Sequence, residues 1–396
     1  MPTLRVNIAP RMLRWARERA GKSFDDFADK FPKLWAWELG EAQPTLKQVE
    51  AFAKATYAPL GYLFLSEPPV EQVPIPDFRT MGADERPAGV RRVSGAAATR
   101  QPSPNLLDTV YVCQQRQAWY QEYARINGEP QRDFVGSVTL SDSVESVADK
   151  MRHALKFDLD QRRAFPTWTD ALRHFISQAD ELGVLVMCSG VVRNNTHRPL
   201  DPEEFRGFAL ADSLAPLVFI NGADTKAAQM FTLAHELAHI WLGQSALSDA
   251  AAFAVPDHRI EAWCNRVAAE LLAPLQMVQD EFHPETPLDD ELTRLARRFK
   301  VSSLVILRRL RDAGGITADE YYDAYHGELE RIAARPKGKG GDFYLTQSSR
   351  VSRRFGRALV ASTLEGNTLY RDAFQMLGVA KIGTFNEMGR QLGFYM

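Results

Sequence analysis

Residues 231–243 read Phe-Thr-Leu-Ala-His-Glu-Leu-Ala-His-Ile-Trp-Leu-Gly, and no other stretch constrains the chain as much. No Pro or Gly interrupts residues 224–242, and Met230, Leu233, Ala234, Leu237, Ala238 and Trp241 recur at helical spacing. The pattern predicts a helix, on which His235 and His239, four residues apart, lie one above the other. Two imidazoles so placed can ligate one Zn²⁺. Glu236 is turned from them by about 100°. It can reach a water at the metal without being a ligand, which suits it to act as a general base. A pentapeptide of this kind also arises by chance, so the flanking sequence has to decide.

A two-histidine zinc site needs a third protein ligand and an open position. Downstream, residues 261–274 read as a second helix, stopped at Pro274. It begins with Glu261, the favoured third ligand, and Asn265 follows one turn further along the same face. There Asn265 could hydrogen-bond the other nitrogen of a ligand histidine and fix its tautomer. His258 and Glu270 are rival third ligands. Position 245 is Ser, so the third histidine of the metzincin spacing is missing. Cys264 sits beside the ligand face, as a small buried apolar group or, less simply, as a ligand or redox group.

With these residues in view, the sequence resembles the ImmA/IrrE-type metallopeptidases of bacteria and their phages. The resemblance rests on residues 231–243, on Glu261 and Asn265 with the Ala-Ala-Glu-Leu-Leu-Ala-Pro ending, on Gly207-Phe208 and on Leu217–Asn221. It departs at Ala273, where the family usually has Met. It implies a compact zincin-like core and a zinc-dependent, site-specific peptidase; relatives act on regulatory proteins such as repressors.

The rest of the chain is expected to be mainly helical, an α+β protein whose peptidase core carries a small sheet. The 396 residues allow two or three domains, and a hydrophobic content of 45% is ample for packed cores. A net charge of −2 does not itself select or exclude nucleic acid. Three widely spaced cysteines, Cys113, Cys188 and Cys264, form no disulfide framework. With no apolar signal core or membrane-length run, a cytoplasmic location without membrane attachment is expected.

Residues 1–66 look like a small Xre-type helix-turn-helix module, with helices near Met12–Arg19, Phe24–Phe31, Leu34–Gly40 and Pro44–Ala53. The segment between Ala28 and Trp37 is too short for the usual turn and recognition-helix start, so base readout there is doubtful. Residues 67–105 read as a Pro-rich linker and a mobile insertion carrying Arg91, Arg92 and Arg100. The peptidase domain is expected over 106–275, with helices at 106–126, 142–155 and 167–182. A buried strand at Val184–Cys188 and an antiparallel pair at 205–211 and 217–221 should lead into the HExxH helix. An extended substrate is expected to pair with strand 206–211 or 216–221. The polar loop 189–204, with Asn194, Asn195, His197 and Arg198, could line the cleft.

Residues 276–335 form a helix-turn-helix-like unit made basic by Arg297, Arg298, Arg308, Arg309 and Arg311. Residues 336–341 read as a linker. The tail 342–396 is helical, with Arg350, Arg353, Arg354 and Arg357 on one face, a possible surface for DNA or an acidic partner. Two readings therefore stand. One is a zinc peptidase that cleaves a specific regulatory protein, with Glu236 as base and His235, His239 and Glu261 as ligands. The other is a DNA- or protein-binding transcriptional regulator, or an antitoxin-like component, with an inactive or structural zincin core.

Overall fold

The computed structural model describes residues 4–77, 101–247, 259–333 and 350–395. These fall into two compact units, residues 4–74 with 101–110, and residues 75–77 with 111–395. Arg91, Arg92, Arg100, His258 and the linker 336–341 lie outside the described residues.

The first unit carries α1 (Pro10–Arg19), α2 (Leu34–Glu38) and α3 (Leu46–Thr56), with single 3-10 turns at Asp25–Phe27 and Leu60–Phe64. Its core is aromatic: Trp15, Phe27, Phe31, Trp37 and Phe52 pack with Met12, Leu13 and Val49. Arg17 grips the buried carboxylate of Glu38 through two hydrogen bonds of 2.7 and 3.0 Å. The helix expected over Phe24–Phe31 is not formed: Asp25–Phe27 make one turn and α2 has five residues. The shortened stretch between Ala28 and Trp37 leaves no room for two full helices, so the unit packs as a helical core without an extended recognition helix.

In the second unit the sheet has the order β1-β3-β2-β4, with β1 (Leu185–Ser189), β2 (Gly207–Leu210), β3 (Leu217–Asn221) and β4 (Ala246–Leu247). β1 runs parallel to β3, while β2 is antiparallel to both β3 and β4. β3 is therefore an interior strand and cannot receive a substrate along its edge. β2 is already paired at Phe208 and Ala209 by β4, whose other side meets Asp77. Among the described residues, β4 is paired with β2 at Phe208 and Ala209 only.

Helix α8 (Lys226–Leu242) runs beneath this sheet, and every residue from Ala228 to Trp241 is buried. A helix apolar on nearly all sides must be enclosed on all sides. Thr225 caps its first turn, and Gly243 ends it in the left-handed conformation (φ 69°) that glycine adopts without strain. Its last carbonyls do not stay bare: Gly136 and Val138 donate to Ile240 and Trp241. Phe134 stacks on Trp241 with ring centroids 4.5 Å apart.

Around α8 stand α5 (Val144–Leu155), α7 (Trp168–Leu182) and α9 (Arg259–Leu272). A short α6 (Leu159–Ala164), not foreseen from periodicity, starts at an Asp158 cap. Three arginines converge on the C-terminal carbonyls of α9. Arg152 donates to Glu270 O at 2.8 Å, Arg162 to Leu272 O at 2.9 Å and Arg309 to Ala273 O at 2.9 Å. Cations at the negative end of the helix hold it by hydrogen bonding and by its dipole.

Arg309 also pairs with the buried carboxylate of Glu270. Glu270→Ala leaves that guanidinium buried without its partner, and a loss of about 3–5 kcal/mol is expected. Urea unfolding of the metal-free protein measures it; an unchanged midpoint would contradict this role.

In the basic unit 276–335 several arginines are drawn into packing, while Arg297 is exposed and Arg308 half-exposed. In α12 (Ser303–Asp312), Leu304, Val305, Ile306, Leu307, Arg309 and Leu310 are all buried against α10 (Leu275–Glu281), α11 (Leu288–Phe299) and α13 (Ala318–Ala333). Arg298 pairs with Glu281 and Asp160, and Arg311 lies over Tyr321 and Tyr322.

The tail forms α14 (Arg353–Leu364), α15 (Tyr370–Leu377) and α16 (Ile382–Gln391). Asp180 accepts from Ser352 Oγ (2.6 Å) and Arg354 N (3.0 Å), anchoring the N-terminus of α14. Arg354 bonds Tyr120 and Glu129, Arg350 bonds Asn194, and Asn194 donates to Gly378 O. From α4 (Pro104–Ile126), buried Arg116 donates to Met376 O and Arg350 O. Burial pulls its pKa down to about 10. Of the four arginines of the expected basic face, Arg350 and Arg354 are thus engaged in docking the tail, while Arg353 and Arg357 are exposed. Asn194 of the loop 189–204 serves the same docking rather than a cleft. Among the described residues no helix is long and apolar enough to cross a membrane.

Candidate metal centre

Two helices build the centre. α8 presents His235 and His239 from successive turns, and α9 lies against it with Glu261 in its first turn. The three donor groups meet: His235 Nε2 is 3.1 Å from His239 Nε2 and 3.2 Å from Glu261 Oε2, and His239 Nε2 is 3.0 Å from Glu261 Oε1. Bonds of about 2.0–2.1 Å at a tetrahedral zinc set neighbouring donors about 3.3 Å apart. The cluster is therefore close to the size that such an ion requires. All three residues are buried.

The electrostatics suit a cation. Burial works against a charge on His235, but the charge and hydrogen bond of Glu261, together with Glu236 and Asn265, outweigh it and raise its pKa. Burial likewise opposes ionisation of Glu261, yet His235 and His239 hold its carboxyl well below the usual range. Asn265 favours the protonated ring of His235, while its Oδ1 and His235 Nδ1 are buried and make no hydrogen bond among the described residues. A residue so placed can orient a ligand imidazole.

Glu236 is fully buried next to the histidines, beneath β2: an ideal Cβ on Gly207 would lie 3.0 Å from its Oε1. Of the rival third ligands, Glu270 is turned to Arg309, two turns and more along α9 from Glu261. Cys264 is buried, and burial first, then Glu261 and Glu236, push its thiol well above the ordinary value. It remains a protonated, apolar group. His197 is exposed on its loop.

The stretch of chain that carries these residues matches a family model. Residues 179–311 match the Peptidase M78 family, the IrrE N-terminal-like domain. The IrrE N-terminal-like segment runs from the end of α7 to α12 and contains His235, Glu236, His239 and Glu261. The match supports a metallopeptidase-type family for this segment. Residues 351–391, which form the docked tail, match a domain of unknown function, DUF8813. No curated protein matches the chain.

The IrrE N-terminal-like segment should show a pH signature. The raised pKa of His235 stabilises the metal-free fold below the ordinary histidine value of 6.5, and that contribution is lost as pH rises through the raised value. The lowered pKa of Glu261 stabilises it above 4.5 and is lost as pH falls. A metal ion competes with the proton on His235. The gap in Tm between zinc-loaded and metal-free protein should therefore widen from about pH 6 to about pH 8. Differential scanning fluorimetry measures the gap; one that narrows with pH would contradict the assignment.

Proposed function

We propose that this chain is a zinc-dependent endopeptidase directed at one regulatory protein, with His235, His239 and Glu261 holding the ion and Glu236 serving as general base. The observation that carries the proposal is the buried convergence of three donor atoms at 3.0–3.2 Å beside a buried glutamate. When bound, zinc supplies a Lewis acid that polarises a peptide carbonyl and acidifies a water. Glu236, as general base, would take up a proton at its carboxylate from the attacking water and return it to the leaving amine nitrogen. Asn265 orients His235 for its ligand role. The substrate lies extended and uses main-chain hydrogen bonds at the start of β2.

Main-chain pairing reads backbone shape more than side chains, so selection of one target falls to the flanking helical parts of the chain. A repressor-like protein substrate is therefore proposed, with weak activity on generic unfolded chains such as casein. The test is labelling of new protein N-termini in cells producing wild type or Glu236→Gln. The expected result is one or a few cleavage sites present only with the wild type. Identical N-termini from both, with equal biological activity, would replace the peptidase by a binding module.

A further inference from the structure

The base of the proposed site has an unusual roof. Gly207 opens β2, and a side chain there would have nowhere to go. An ideal Cβ would lie 2.5 Å from Thr232 Cγ2, 2.7 Å from Phe219 O and 3.0 Å from Glu236 Oε1. Gly207 is not among the positive-φ glycines, so its backbone conformation does not call for glycine. Space does: a glycine inside a strand marks a close approach, and here two of the three neighbours belong to α8.

The ladder gives this position a second property. Asn221 N donates to Arg206 O at 2.7 Å, so Arg206 and Asn221 are a hydrogen-bonded pair. Gly207 and Ile220, the next pair, are then of the other kind, and the main-chain groups of Gly207 turn away from β3. On that side, among the described residues, β4 pairs with Phe208 and Ala209. The main-chain groups of buried Gly207 thus point to the side of β2 opposite β3, at the residue that roofs Glu236.

We propose that Gly207 is a positioning residue: its bare Cα, with Thr232 beneath, seats the Glu236 carboxylate under β2. The inference rests on the peptidase reading. One of the three atoms nearest to a Cβ at 207 is Glu236 Oε1, and none belongs to His235, His239 or Glu261.

Acetohydroxamic acid is the probe, because its hydroxyl proton passes to the base as the hydroxamate ligates the metal. Metal content and hydroxamate affinity are measured by titration for the zinc-loaded wild type, Glu236→Gln, Gly207→Ala and the double variant. Gly207→Ala and Glu236→Gln should each keep the ion and bind the probe about tenfold or more weakly, the size of a lost charged hydrogen bond. The double variant should be no weaker than Glu236→Gln alone, since both changes remove the same interaction. Wild-type affinity in Gly207→Ala, or losses that multiply, would overturn the proposal.

Should Gly207→Ala fold poorly, Gly207→Ala with Thr232→Ser removes the closest clashing methyl. Affinity should stay low in that protein; recovery to the wild-type value would reduce Gly207 to packing on Thr232. A wild type that binds neither zinc nor hydroxamate would overturn the peptidase reading, and this inference with it. Loaded wild type with uncoupled variants overturns this inference alone.

Discussion

Glu261→Ala is expected to lose its zinc during a dialysis that leaves the wild type loaded, whereas Glu270→Ala, once folded, keeps it. Removing Glu261 deletes one of three converging donors and leaves His235 and His239 to hold the ion through two bonds. Loss of a partner behind a ligand already lowers metal affinity by about 10–100-fold, and loss of the ligand itself should exceed that. Glu270 is the sharpest control. It lies on the same helix and is equally buried, but its carboxylate serves Arg309 and Leu275 N. Its replacement weakens the fold and not the donor set. Competition with a chelator of known affinity measures both; an empty site in Glu270→Ala with a full one in Glu261→Ala would reverse the assignment.

The contrast between these two glutamates also shows how far the sequence could be read. The HExxH helix, the second helix and the antiparallel strand pair follow from local periodicity and from Pro and Gly stops, which act over a few residues. Glu261 could be favoured over Glu270 only by its place on a helix face. What separates them is Arg309, a partner 39 positions away. The same limit hid the parallel pairing of β1 with β3 and the β4 strand of two residues, since neither has a local signature. Arginine runs misled for a related reason. Arg309, Arg350 and Arg354 read as a surface charge pattern, yet inside the unit Arg309 is spent on the Ala273 carbonyl, Arg350 on the Asn194 amide oxygen and Arg354 on the Glu129 carboxylate. Composition records charge and is silent on its partner. Gly207 was visible as part of a Gly-Phe pair, but only the helix beneath it explains the glycine.

Glu236→Gln should bind zinc as the wild type does and fail to cleave. The substitution keeps the size of the side chain and removes its capacity to accept a proton at neutral pH. Positioned acid–base groups contribute about 10²–10⁴-fold to rate, and a loss of that order is expected in cleavage of the target protein. Binding of the target, which the account assigns to main-chain pairing and the flanking helical parts, should persist. The variant is therefore expected to trap its substrate, and a pull-down with Glu236→Gln should retain a protein that the wild type releases as fragments. Full cleavage by Glu236→Gln would remove Glu236 from the chemistry.

The claim beneath both predictions is that His235, His239 and Glu261 hold one metal ion. Metal analysis of protein purified without added zinc, repeated after zinc addition and dialysis, tests it most directly. The account predicts one zinc ion per chain after zinc addition, abolished in Glu261→Ala. A wild-type protein that stays metal-free after zinc addition and dialysis would contradict it.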